Sequence, residues 1–333
     1  MALGPFCNCE GMLSRAAKAE KLDELKLWFE IARILGTDMI QIPSTFRTEG
    51  FTGDVDVVVG DLRDIAELGA AHDPPFRFAF ESLCWGTFNF SWEDAWAVAE
   101  FRPVLGHVYC NVAGRGWADP AREDGKIENA DAVFGKSLRD LVTEVDVEKL
   151  FYVQVVDAER LSRPLDEQHP FHVFDGQMPR MSWSRNARLF VCEEERGGYL
   201  PLIDVLKVLC DEKDGLGYKG WISMELFSRS LIEEGSRVPK EHAERAMESW
   251  RRLEKVKGWE NNVDPIPARS AVEGVVASPV VKQLGGWEIS AICNEKLLTR
   301  FPRTSKVFAS GVSLFDEQWQ HLRASRHLFL PSF

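Results

Sequence analysis

The feature that most constrains the fold is the alternation of helical and extended apolar segments between residues 19 and 257. The segment "AEKLDELKLWFEIARILGT" repeats its apolar residues near the helical period, and "SWEDAWAVAEF" opens with a predicted capping box of Ser91 and Asp94. The extended segments are apolar on both faces, which is typical of a parallel sheet covered by helices. They read "DMIQIP", "FRFAFESLCW", "VLGHVYCNV", "KLFYVQVVD" and "GWISMELF". The pattern therefore predicts an α/β fold.

Two α/β architectures compete, an open doubly wound sheet and a closed (β/α) barrel. No Gly-rich loop follows the first strand, and "AGRG" lacks the spacing of a dinucleotide site, so the pattern favours the barrel. Beyond about residue 258 the alternation stops. We therefore expect a barrel domain over residues 1–258 and a C-terminal extension over residues 259–333.

Composition and charge exclude several classes of partner. The formal net charge of −12, with no concentrated basic face, argues against nucleic acid. No apolar run reaches the ~20 residues of a membrane span, and "MALGPFCNCEGML" does not resemble a secretory signal. The seven cysteines follow no disulfide or CxxC pattern. We therefore expect a cytoplasmic protein with reduced thiols, and leave open whether it is a homo-oligomer.

Three polar residues interrupt otherwise apolar strands: Glu81 in "AFESL", Gln154 in "YVQVVD" and Glu225 in "SMELF". A buried carboxylate is costly unless it faces a cation, and catalytic groups of a barrel gather at the C-terminal ends of its strands. Two carboxylates and an amide oxygen at one barrel mouth would suit Mg²⁺ or Mn²⁺. The alternative is that each acid pairs with a nearby arginine.

Several longer blocks carry a family resemblance: "KLWFEIARILGTDMIQIPSTF", "FYVQVVDAERL", "RMSWSRNARLF" with "GGYLP", and "GYKGWISMELFSRSL" with "VPKEHAERAMESW". Over about residues 3–258 the chain resembles fungal 3-dehydroshikimate dehydratases, members of the xylose isomerase-like TIM barrel superfamily. The resemblance implies a (β/α)8 barrel and a divalent cation such as Mg²⁺, Mn²⁺ or Co²⁺. The family holds it with a Glu, an Asp, a Gln or His, and a second Glu. Glu81, Gln154 and Glu225 match three of these.

The expected Asp has no counterpart in this sequence. The family pattern ends "LDTF" before an "AGR" loop, whereas this chain has the shorter "GHVYCNVAGR". Counting from Gly106 places Cys110 at the Asp position, and counting back from Ala113 places Asn111 there. A Cys110 thiolate would favour a softer ion such as Zn²⁺, and His107 is a candidate ligand or acid/base group. The family barrel also starts with two further βα units, so we expect an incomplete barrel, truncated at its N-terminus.

The resemblance implies the dehydration of 3-dehydroshikimate to protocatechuate, a step of quinate and shikimate breakdown. A carboxylate substrate calls for an arginine clamp, with Arg185, Arg188 and Arg229 as candidates. His169, on a loop, is a candidate acid or base. Asp157 either orients a metal ligand or caps a helix.

Two alternatives remain at this stage. The same barrel and metal site could serve a sugar or sugar-phosphate isomerase or epimerase, because function lies in the loops. The absent Asp and the short start also allow a catalytically inactive truncated barrel that acts, if at all, as a binding protein.

Overall fold

The computed structural model describes residues 2–100, 108–109, 127–162 and 165–259. Helices and strands alternate along this part of the chain, as the sequence predicts. In chain order they are α1 (Arg15–Ile34), β1 (Met39–Pro43), α2 (Val55–Ala70), β2 (Arg77–Glu81), α3 (Trp92–Glu100), β3 (Val108–Tyr109), α4 (Ala130–Glu144), β4 (Tyr152–Gln154), β5 (Asp157–Ala158), α5 (Pro179–Asn186), β6 (Arg188–Leu189), α6 (Leu202–Cys210), β7 (Trp221–Ser223) and α7 (Val238–Lys257).

The principal strands pair in parallel, which confirms the prediction made from their two-sided apolar character. β1, β2 and β3 form one sheet in that order, and β4 pairs with β7. Ahead of β1, Leu3 forms a parallel bridge with Ile40. The short strands β5 and β6 pair antiparallel beside these sheets. Parallel neighbours place the C-terminal ends of β1 to β4 and β7 on one side of the fold, where a site can be assembled.

The core lies between the outer strand faces and the helices. Ile40, Ile42, Phe78 and Phe80 project from β1 and β2 and are at most 2% exposed. They belong to one apolar cluster with residues of α1 and α2, such as Phe29. Because strand side chains alternate, the residues between these apolar positions face the opposite side. That inner face carries the polar residues of the candidate site.

Two helices begin where the sequence places a capping side chain. The Ser14 hydroxyl accepts from the backbone N–H of Ala17 at the start of α1. The Asp54 carboxylate accepts from Asp56 and Val57 at the start of α2. Such caps stabilise a helix by about 1 kcal/mol each.

Two elements are shorter than their sequence patterns suggest. β7 ends at Ser223 because the following residues leave β4: Phe227 accepts from the backbone N–H of Arg188, and Ser228 forms an antiparallel bridge with Ala187. α6 starts only after Pro201. It stops at Cys210 because the Asp211 side chain accepts from the backbone of Lys213 and Asp214, which closes a turn.

α7 ends at Lys257, and Gly258 follows it in the left-handed conformation that favours glycine. The predicted division between residues 1–258 and 259–333 falls at this point and stays a prediction, since residues 260–333 lie outside the described part. None of the helices described is both long and apolar enough to cross a bilayer.

Candidate active site

The inner face of the parallel strands gathers polar side chains from three strands. In the register of β1 and β2, Gln41 lies opposite Ala79 and Pro43 lies opposite Glu81. Gln41 and Glu81 are therefore near each other on adjacent strands. The Gln41 Nε2 donates to Glu81 Oε2 at 2.6 Å and lies 3.5 Å from Gln154 Oε1. Glu81 and Gln154 are both buried. Two of the three predicted metal ligands are therefore joined through one amide.

Glu225 follows β7 and is held by an arginine. Its Oε2 lies 2.7 Å from Arg188 Nη1, which also donates to the Glu225 backbone carbonyl at 3.2 Å. The two side chains are only 14% and 10% exposed. The Ser184 hydroxyl accepts from Arg188 Nε at 2.9 Å and from Nη2 at 2.6 Å, and the guanidinium lies over the Phe227 ring. The arginine is thus fixed on two sides, with its positive charge against Glu225.

Glu81 and Glu225 are close enough for the charge of one to act on the other, so we treat them as parts of one site. Burial raises the pKa of Glu81 to about 8, with the Glu225 charge acting in the same direction. Arg188 and the Gln41 hydrogen bond oppose this and lower it. Tyr152 lies two residues before Gln154 on β4. Burial and the charges of Glu81 and Glu225 raise its pKa. Two carboxylates that repel each other in a buried site are suited to share a cation.

Three further arginines lie on α5 and after β7, each in a different setting. Arg229 is exposed, pairs with Glu159 at 2.6 Å and lies over the Phe171 ring. Arg185 lies in the last turn of α5, one residue after Ser184. Arg180, at the start of the same helix, donates to the Cys84 carbonyl at 3.0 Å.

His169 is buried, although its position on a loop suggested exposure to solvent. Its Nδ1 accepts from the backbone N–H of Phe171 at 3.1 Å, and the two rings meet edge to face. Phe171 in turn lies against Arg229. Phe171 therefore contacts both His169, a candidate acid or base, and Arg229, a candidate for binding the substrate carboxylate.

The Asp157 carboxylate binds the backbone ahead of α6 and does not cap that helix, whose N-terminus has no side-chain hydrogen bond among the described residues. One carboxylate oxygen accepts from the backbone N–H groups of Ala158, Tyr199 and Leu200. Burial raises its pKa, and these hydrogen bonds lower it. Gly198 leaves room for this contact, because a Cβ there would lie 2.6 Å from the other oxygen. The residue thus anchors the loop that leads to α6.

The predicted residues His107, Cys110 and Asn111 lie outside the described part of the chain. They flank β3, whose Tyr109 is the register partner of Glu81. Their roles stay predictions.

The donor set agrees with a hard divalent cation in its chemistry. Among the described residues no three His, Cys, Asp or Glu side chains are grouped tightly enough to hold a metal by themselves. Two carboxylates and the Gln154 amide oxygen nevertheless form an all-oxygen set, which Mg²⁺ and Mn²⁺ prefer.

Two residues of the site were missed from the sequence. Gln41 interrupts "DMIQIP" in the same way that Gln154 interrupts "YVQVVD", so the same criterion would have found it. Ser184 carries no such signal, because its role depends on Arg188 four residues later on the next element.

Comparison with solved structures defines the class of fold. A xylose isomerase-like TIM barrel/4-hydroxyphenylpyruvate dioxygenase fusion protein superposes with a TM-score of 0.54 at 23% sequence identity, covering 80% of this chain and 36% of that chain. The fold is therefore that of a xylose isomerase-like TIM barrel, as predicted, while the predicted truncation of the barrel stays a prediction. No protein-family model matches the chain.

Curated relatives identify the family within that class. The 3-dehydroshikimate dehydratase of Neurospora crassa is 45% identical over 258 residues, which are 76% of this chain and 71% of the relative. A 3-dehydroshikimate dehydratase of Pseudomonas aeruginosa is 25% identical over 67% of this chain, which spans 28% of that longer protein. The chain belongs to the 3-dehydroshikimate dehydratase family.

Proposed function

We propose that this chain is a lyase that removes water from 3-dehydroshikimate to give protocatechuate. Family membership supports this activity over the sugar isomerase alternative. The observation that carries the proposal is the contact of Glu81 and Gln154 with Gln41 on the inner face of the sheet, with the charge of Glu225, which Arg188 holds, close enough to act on Glu81. The reaction needs no oxidant, because the substrate loses only the elements of water as its ring becomes aromatic.

Glu81, Gln154 and Glu225 would hold a divalent cation, Mg²⁺, Mn²⁺ or Co²⁺, with Cys110 or Asn111 as a further ligand. Such an ion polarises a carbonyl oxygen and so acidifies the neighbouring C–H bond. Arg188 would hold the Glu225 side chain in the orientation needed to bind the cation. Its guanidinium contacts both the carboxylate and the backbone carbonyl of Glu225.

Arginines would bind the carboxylate of the substrate. Of the three candidates, Arg188 already donates to Ser184 and Glu225, so Arg185 on α5 and Arg229 after β7 would make the main contacts to the substrate. A planar guanidinium can make two parallel hydrogen bonds to a carboxylate, which fixes both position and orientation. This clamp would place the substrate ring against the inner face of the strands.

Proton transfer completes the reaction. A base removes a proton from the carbon beside the ketone, and an acid protonates the departing hydroxyl, so the net change is loss of one water. His107 and His169 are the residues we assign to these proton transfers, and Asn111, whose amide does not ionise, would assist them by hydrogen bonding to the substrate. His169 is held by the Phe171 backbone close to the Arg229 side of the site.

The test is a direct assay of the purified chain. Incubation with 3-dehydroshikimate and Mg²⁺, Mn²⁺ or Co²⁺ should give the ultraviolet absorbance of protocatechuate. Glu81→Gln and Glu225→Gln should each reduce kcat/KM by at least 100-fold, because each removes a charged ligand. Glu248→Gln is the matched control, since Glu248 is an exposed carboxylate on α7 that pairs with Arg252.

An inactive wild-type chain with every cation would contradict the proposal and favour the inactive-barrel alternative. Equal activity of all three variants and the wild type would contradict the assigned site while leaving the reaction intact.

A further inference from the structure

We propose that Gln41 is a positioning residue that sets the two neighbouring ligand oxygens, Glu81 Oε2 and Gln154 Oε1, for cation binding. The inference rests on the proposed function, because it assigns Gln41 to the same metal site. Gln41 lies in the centre of β1, between Ile40 and Ile42, which are fully buried on the opposite face. Its side chain is therefore the one that β1 contributes to the inner face at this level.

The amide group of Gln41 has the geometry to orient two acceptors at once. Nε2 carries two hydrogens, and it lies 2.6 Å from Glu81 Oε2 and 3.5 Å from Gln154 Oε1. A carboxylate that binds a cation is ionised and only accepts hydrogen bonds, so in the cation-bound site the N–H side of the amide faces Glu81. The two oxygens are thereby set around one nitrogen, and each side chain loses freedom to turn away from the other.

Gln41 is itself held rigidly enough to act in this way. Its backbone N–H donates to the Leu3 carbonyl at 2.8 Å, and its carbonyl accepts from Phe6 at 2.9 Å. On the other side β1 pairs with β2. Gly4 packs against the side chain, because a Cβ on Gly4 would lie 2.7 Å from Gln41 Cβ and 2.6 Å from Gln41 Oε1. A glycine at this position leaves the space in which the Gln41 amide lies.

Loss of this amide should weaken cation binding without removing a ligand. The Gln41 N–H group, 2.6 Å from Glu81 Oε2, holds that oxygen in one direction, and a hydrogen bond to a charged acceptor is stronger than one between neutral groups. Groups that orient metal ligands typically change metal affinity by about 10- to 100-fold when they are mutated. Methionine matches glutamine in length but cannot donate, so Gln41→Met isolates the hydrogen bonds from the packing.

The experiment is isothermal titration of the full chain with Mn²⁺. Gln41→Met should raise the Kd by about 10- to 100-fold. In the dehydratase assay it should raise the Mn²⁺ concentration that gives half-maximal activity, while kcat at saturating Mn²⁺ stays within about threefold of wild type. Ile42→Val is the matched control, because it alters the next residue of the same strand on the opposite face and should leave the Kd unchanged.

A second variant approaches the same contact from the other side. Gly4→Ala forces the Gln41 side chain to move and should raise the Kd in the same direction, which keeps the proposal testable if Gln41→Met folds poorly. Wild-type Kd values in both variants would overturn the inference and leave the proposed function standing. A wild-type chain that binds no Mn²⁺ would overturn both the metal assignment and the inference.

Discussion

At the scale of single residues, Glu225 is explained by an arginine 37 positions away in the sequence. The sequence shows Arg229 four residues after Glu225, but the fold pairs Arg229 with Glu159 and brings Arg188 to Glu225. A buried carboxylate therefore has a cationic partner as physical chemistry requires. The sequence spacing could not identify this partner, because the path of the chain between β4 and β7 determines which arginine lies beside Glu225.

Polar residues that interrupt apolar strands lie together on the inner face of the sheet. Glu81 and Gln154 were predicted on this basis, and the structure connects them through Gln41. Glu10 gave no such signal because it lies in the loop segment "CNCEG". It is nevertheless fully buried. One oxygen accepts from the Thr45 backbone, and the other, Oε2, has no hydrogen-bond partner among the residues that the structure describes.

Glu10 should make stability depend on pH. Burial raises its pKa from 4.5 to about 7, so the folded state holds the proton more tightly than the unfolded state. The stabilisation is complete below pH 4.5 and is lost as the pH rises to about 7. A difference of that size corresponds to about 3 kcal/mol in the free energy of unfolding. Glu10→Gln keeps the acceptor for Thr45 but cannot ionise.

Urea unfolding between pH 4.5 and pH 8 tests this expectation. The free energy of unfolding of Glu10→Gln should fall less over this range than that of the wild type, by about 3 kcal/mol. Glu20→Gln, at an exposed position of α1, should follow the wild type. Parallel curves for Glu10→Gln and wild type would contradict the assignment.

At the scale of elements, the capping box predicted from Ser91 and Asp94 is confirmed. The Asp94 carboxylate accepts from the Ser91 backbone at 3.0 Å, and the Ser91 hydroxyl accepts from the Asp94 backbone at 3.3 Å. Element types were predictable because they follow from local periodicity and caps. Element ends were less so: β7 ends early because residues 227 and 228 pair with residues 187 and 188, a contact distant in sequence.

Two glycines of α2 should respond to alanine in opposite ways. A Cβ on Gly69 would lie 2.5 Å from the buried Phe78 ring, so Gly69→Ala should destabilise the protein by about 1–3 kcal/mol despite its better helix propensity. A Cβ on Gly60 would meet no atom of the described residues within 4 Å, so Gly60→Ala should stabilise the protein by up to about 1 kcal/mol. Thermal unfolding of both variants measures the difference, and shifts of the same sign would show that α2 does not approach β2 as described.

At the scale of the whole molecule, the barrel class was predictable because alternation and two-sided apolar strands extend along the chain to residue 257. The cation should act at this scale too, because a ligand that binds only the folded state stabilises it. At a free Mn²⁺ concentration 100 times the Kd, the free energy of unfolding should rise by about 2.7 kcal/mol. Thermal midpoints with Mn²⁺ and with EDTA measure this. Glu225→Gln should lose most of the effect, and an equal gain in that variant would place the ion elsewhere.

The strand register restricts how a chain of this kind can diverge. Glu81 closes β2 at the level of Pro43 on one side and Tyr109 on the other. Because side chains alternate, deleting a single residue inside β2 would turn this carboxylate outward among the helices and bring a phenylalanine in. Insertions in the connecting loops would leave it in place. Length variation among relatives should therefore be confined to the connections, with strand interiors constant in length.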